Sequence, residues 1–163
     1  NPEPDSYVTY NYAENVWTIG SLDRNVWLDA QGFRNVPFAF DGDGKLYSHE
    51  TGNSDNGVAM NCFIESGELE IDETGNRTFL IDKIVPDATL TTDTNLFIEF
   101  KCKKYPNGTE ITKGPFTVTS STQKLSTRAK GRQIAIKYSS TGTNDEWSLG
   151  DFRINATEDS FRW

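Results

Sequence analysis

Five groups of residues have types that could do chemistry. His49, the sole histidine of the chain, stands in "SHETG", and any Ser/His/Asp triad or histidine-based metal site would have to be built on it. Asp41 and Asp43 in "DGDGK" resemble half of a calcium loop. Lys45 occupies the place where a third oxygen ligand belongs, and Asp-Gly is also the dipeptide of a tight turn, the simpler expectation. Glu65, Glu68, Glu70 and Asp72 offer the carboxylates that a glycosidase pairs across a sugar ring. Glu68, Glu70 and Asp72 alternate with Leu69 and Ile71, however, which is the pattern of one solvated strand face. Cys62 and Cys102, the two cysteines, lack the CxxC spacing of a zinc site. Each shares strand parity with apolar neighbours, so two buried thiols are expected, with a disulfide between them left open.

The fifth group is basic. Lys101, Lys103, Lys104, Lys113, Lys124, Arg128, Lys130, Arg132 and Lys137 share the stretch 101–137 with one acid, Glu110, whereas the whole chain has net charge −8. Such segregation speaks about partners. Within "STRAKGRQIAIKY", Arg128, Lys130 and Arg132 have one strand parity and would project together. No aromatic is interleaved between Phe116 and Tyr138, so base stacking is not offered and only phosphate contact would be. Pairing with acids of the same or a neighbouring subunit is the expected alternative. No residue is assigned a catalytic, cofactor-binding or metal-binding role, and a non-enzymatic function is expected.

The elements that must position these residues are strands. Helical periodicity is almost absent, and short alternating runs are bounded by Gly, Asn, Asp and Pro. Residues 7–12 and 16–19 read as a hairpin closed by "AEN", and "PFAFDGDGKLYSHE" reads as another. After Gly57 the runs "VAMNCFIES", "GELEID", "RTFLIDKIV", "LFIEFKCKKY", "GPFTVTS", "RQIAIKYSS" and "WSLGDFRI" follow. Phe79 and Ile81, Ile98 and Phe100, Phe116 and Val118, and Ile134 and Ile136 are their expected inward residues. Roughly seven strands in about 100 residues predict an antiparallel β-sandwich over 57–163. Residues 1–56 are aromatic and strand-rich but too short to enclose a core. They read as the last blade region of a β-propeller whose other blades lie upstream, the chain starting at Asn1 without a signal peptide. No apolar run approaches the roughly 20 residues of a membrane helix, so no membrane insertion is expected.

Several phrases together resemble a group of phage virion proteins: "YNYAENVWTIGSLDRNVWLDA", "DGKLYSHETG", "FIESGELEI", "IDKIVPD", and "RAKGRQIAIKY" followed by "WSLGDFRI". They are similar to the C-terminal part of the β-propeller tail proteins of short-tailed phages, of the packaged-DNA stabilisation or tail-nozzle type. The resemblance implies a structural component of the virion tail, assembled in the host cytoplasm. It further implies a homo-oligomeric ring, contacts with other tail or portal-associated proteins, and transient passage of genomic DNA. Catalytic residues and cofactors are not implied. Contact surfaces are expected at Arg128, Lys130, Arg132 and Lys137 and at the C-terminal aromatics Phe161 and Trp163, unusual at an end that would otherwise fray. The alternative expectation is a glycan-binding β-sandwich module, with Trp17 or Trp27 as its platform. The sequons at Asn76, Asn107 and Asn155 would matter in a secreted eukaryotic protein and are incidental under the virion reading.

Overall fold

The computed structural model describes residues 5–32, 34–71 and 77–159. Every regular element among them is a strand, and the sheets are antiparallel and open. The chain divides into two compact units, Asn1–Gly52 and Asn53–Trp163.

In the first unit, β1 (Ser6–Asn11) and β2 (Val16–Ser21) form a hairpin, with Tyr10 opposite Trp17 and Val8 opposite Ile19. The turn is built by asparagines. Asn11 Oδ1 accepts the N–H groups of Ala13 and Glu14 at 3.0 and 3.2 Å. Asn15 takes the left-handed conformation that its short polar side chain tolerates, and its Oδ1 accepts the Tyr10 hydroxyl at 2.7 Å. A separate sheet holds β3 (Val26–Leu28), β4 (Phe38–Phe40) and β5 (Leu46–Ser48) in that order. Asp41 closes β4–β5: its Oδ1 accepts the Asp43 and Lys45 N–H groups at 3.0 and 2.8 Å, and Gly44 supplies the positive φ. Among the described residues of this unit only Pro37 and Ala39 are buried.

The second unit has a sandwich-like core. A four-stranded sheet runs β10 (Ile111–Val118), β9 (Leu96–Lys103), β12 (Gln133–Ser140), β6 (Cys62–Glu65). A three-stranded sheet runs β11 (Leu125–Gly131), β7 (Phe79–Val85), β14 (Arg153–Glu158). A two-stranded ribbon pairs β8 (Ala88–Leu90) with β13 (Trp147–Leu149). Strand alternation sends one side chain in two inward. Phe79, Ile81 and Ile84 thus meet Leu96, Ile98, Phe100 and Cys102, and Ile134, Ile136 and Tyr138, in one buried cluster. The expected inward pairs all lie in this core, Phe116 as a partly buried member at its margin. Each fully buried aliphatic or aromatic side chain of this kind contributes roughly 1.5–3 kcal/mol.

Three local expectations are corrected. "WSLGDFRI" is not one strand: β13 and β14 belong to different sheets, parted at Gly150, whose N–H bonds Asp87 O. "GELEID" forms no strand among its described residues, and its backbone pairs with the sheet only in the isolated bridge of Leu69 to Ile134. Cys62 is exposed rather than buried, because β6 is an edge strand that the opposing sheet does not cover, while Cys102 is buried as expected. Both thiols are free; Cys62 lies opposite Ser140 and Cys102 opposite Ile134, at far ends of β12. No helix among the described residues is long and apolar enough to cross a membrane.

Candidate functional site

The basic segment is distributed over two faces rather than one strip. On the outer face of the four-stranded sheet, lysines of β9 and β12 alternate with glutamates from β6, β9 and the loop after β6. Lys101 Nζ reaches both oxygens of Glu65 at 2.6 and 2.8 Å. Lys103 Nζ donates to Glu68 Oε1 at 2.5 Å, and Lys137 Nζ lies 3.7 Å from Glu99 Oε2 and over the Phe63 ring. The Glu65 hydrogen bond holds the Lys101 ammonium above its ordinary pKa and the Glu68 bond does the same for Lys103, partial burial opposing both. Gln133 Nε2 donates to Glu70 at 2.6 Å, so Glu65, Glu68 and Glu70 are all engaged by neighbours within this unit. Asp72 lies outside the described residues. Carboxylates tied up in this way are not poised as a general acid and a nucleophile.

Arg128 and Lys130 project from β11 on the outer face of the three-stranded sheet, where Lys130 pairs with Asp159 at 2.6 Å. Arg132 does not join them. β11 ends at Gly131, and the Arg132 guanidinium lies half-buried 5.1 Å from the Tyr105 ring centroid, a cation–π contact. Tyr105 is the aromatic partner that spacing within the basic phrase did not reveal. Phe161 and Trp163 lie outside the described residues, as does the Asn76 sequon. Asn107 is exposed, and Asn155 on β14 donates to Asp82 at 2.7 Å.

In the first unit the remaining sequence candidates come together. Asp41 serves its turn. Hydrogen bonding from the Lys45 N–H holds its carboxyl below the usual range, against partial desolvation, with help from the Tyr47 hydroxyl at 3.1 Å and the Asp43 N–H. His49 packs on Trp27, ring centroids 4.7 Å apart, and its Nε2 accepts from Arg24 Nε at 3.2 Å. Arg24 lies 3.9 Å above the Tyr47 ring. His49 therefore acts as an acceptor and a stacking surface. Among the described residues no three His, Cys, Asp or Glu side chains are grouped to hold a metal ion.

What most distinguishes this unit is where its apolar faces point. One hairpin face carries Val8, Tyr10, Trp17 and Ile19, exposed at 64, 43, 67 and 83%. Tyr10 and Trp17 stack on each other at 4.5 Å. One face of the three-stranded sheet opens as an apolar groove of about 580 Å³ lined by Leu28, Val36, Phe38, Phe40 and Leu46. The opposite faces, bearing Tyr7 and Thr9 on the hairpin and Trp27 on β3, line a second cleft with Arg24 and His49. These faces leave contiguous apolar surface open to solvent.

No protein-family model matches this sequence, and no curated protein matches it.

Proposed function

We propose that this chain is part of a structural virion protein, a tail or tail-connector component of a short-tailed phage. In this reading it contributes to assembly interfaces and to the wall of the DNA-exit channel. Residues 1–56 close a β-propeller, and residues 57–163 form an antiparallel β-sandwich built on the core described above. The observation that carries the reading is the first unit's outward-facing Val8, Tyr10, Trp17 and Ile19 together with its open apolar groove. A propeller blade needs neighbouring blades to cover such faces, and a ring of subunits needs two different adhesive patches on each copy. The virion context rests on the resemblance of the phrases quoted above to those of the tail proteins.

The charge pattern is compatible with a channel. The chain's balance of −8 gives a sliding genome little to adhere to. The sheet lysines that would hold phosphate are occupied by Glu65, Glu68 and Glu99. Assembly then rests on apolar contact more than on complementary charge. Native mass measurement of the protein together with the portal and tail proteins of its virion tests this. A stable multi-copy ring is expected, and a protein that stays monomeric in their presence contradicts the proposal.

A further inference from the structure

We propose that the cleft inside the first unit binds a neutral saccharide. The cleft has a volume of about 660 Å³ and is lined by Tyr7, Thr9, Arg24, Trp27, His49 and Glu50 among others. That size and mixture, aromatic walls with a few converging polar groups, are those of a small-molecule site. It is a different surface from the apolar faces assigned to assembly. On the hairpin, Tyr7 and Thr9 alternate with Val8 and Tyr10, so one face serves the cleft and the other serves contact.

The aromatic walls are held in place. Trp27 donates Nε1–H to Asp29 Oδ1 at 2.8 Å and is backed by His49, which fixes the indole. The Tyr7 ring lies against Gly20, where any Cβ would come within 2.4 Å of it. Rings seated in this way are stacking surfaces for the apolar C–H face of a sugar. The polar groups complement the hydroxyls. Arg24 is immobilised by His49, by the Asp23 carbonyl at 2.6 Å and by Tyr47 beneath it, so its donors are preorganised. Glu50 is held at φ 59°, a left-handed backbone that a glutamate seldom adopts, and such strain gathers at functional sites. Its carboxylate has no hydrogen-bond or ion-pair partner among the described residues, leaving it to accept a pair of sugar hydroxyls. Residues 1–52 contain eight acidic and three basic residues, which disfavours sialylated or uronic sugars and selects a neutral one.

The test is a microarray of neutral and acidic oligosaccharides probed with the full chain, followed by titration calorimetry on the best responder. Binding confined to neutral saccharides is expected. Trp27→Ala and Glu50→Gln should each weaken it at least tenfold, whereas Trp27→Phe, which keeps a stacking ring, and Trp17→Ala, on the other hairpin face, should retain it. Circular dichroism of each variant separates loss of binding from loss of fold. Silence of the whole array overturns the proposal, as does binding that survives Trp27→Ala or that disappears with Trp17→Ala. None of these outcomes depends on ring assembly, which is read separately by native mass.

Discussion

Replacing Lys101 by Met and Glu65 by Gln, singly and together, isolates the interaction that most directly decides what the basic segment is for. Lys101 Nζ lies 2.6 and 2.8 Å from the two Glu65 oxygens, with the side chains 25% and 30% exposed. Exposed pairs are worth about 0.2–1 kcal/mol, and charges about 4 Å apart attract by about 1 kcal/mol in bulk water and by about 4 at an effective dielectric of 20. Partial desolvation of the ammonium opposes the gain, so a coupling near the top of the exposed range, about 1 kcal/mol, is expected in a double-mutant cycle. Because the partner raises the lysine's pKa above 10.5, the contribution is complete below that pH and is lost as pH climbs through the folded-state value. Urea unfolding of the full chain at roughly 0.1 M and 1 M salt, where the Debye length falls from about 10 to about 3 Å, supplies the cycle, with a coupling at high salt of about half or less. A coupling indistinguishable from zero at the lower salt would show that Glu65 does not hold Lys101. Lys101 would then be available to an outside anion.

Other expectations follow from single groups. Tyr138 is buried and its hydroxyl finds no partner among the described residues, so Tyr138→Phe should stabilise the chain by about 1 kcal/mol in the same urea assay; a loss of that size would mean the hydroxyl is bonded. Burial pushes the Cys102 thiol up to about 11, so at neutral pH Ellman's reagent should label the exposed Cys62 promptly and Cys102 only on unfolding; two prompt equivalents would contradict the core assignment. Asp41, with its depressed pKa, adds stability that is present above 3.8 and is lost as pH falls through its lower folded value; Asp41→Asn should remove that acid dependence, read by the Tyr47 ring signals in NMR spectra across the acid range.

The inward residues of β9 were legible because their apolar period of two is uninterrupted: Leu96, Ile98, Phe100 and Cys102 alternate along a strand buried on one face, and the shorter runs of Phe79 and Ile81, Phe116 and Val118, and Ile134 and Ile136 show the same step. β11 was hidden for the opposite reason. Its inward positions are Thr127, Ala129 and Gly131, too small and polar to show a period, so its stretch read as a basic phrase. β8 is three residues long and gives no period at all. Edge position is likewise invisible in sequence, which is why Cys62 read as buried.

The candidate sites divide along the same line. Alternation on β11 does place Arg128 and Lys130 on one face, but parity cannot reveal that the strand stops before Arg132. The Glu65–Lys101 and Glu68–Lys103 pairs span 36 and 35 residues, set by strand register, which local spacing cannot reveal. The Asp41 turn was readable from "DGDG", whereas the grouping of Arg24, Trp27, Tyr47 and His49 required the β3–β4–β5 register.

As proposed assembly surfaces, the outward apolar faces of the first unit should drive association of the chain. Sedimentation velocity of the chain beside an Ile19→Asp/Leu46→Asp variant tests it most directly, since both residues are exposed and their replacement leaves the second unit's core untouched. The parent chain should associate with rising concentration, an association maintained or strengthened by 1 M salt because apolar burial is not screened, and the variant should stay monomeric. A parent chain that sediments as a monomer at every concentration, or an association that salt abolishes and the two substitutions leave intact, would contradict it.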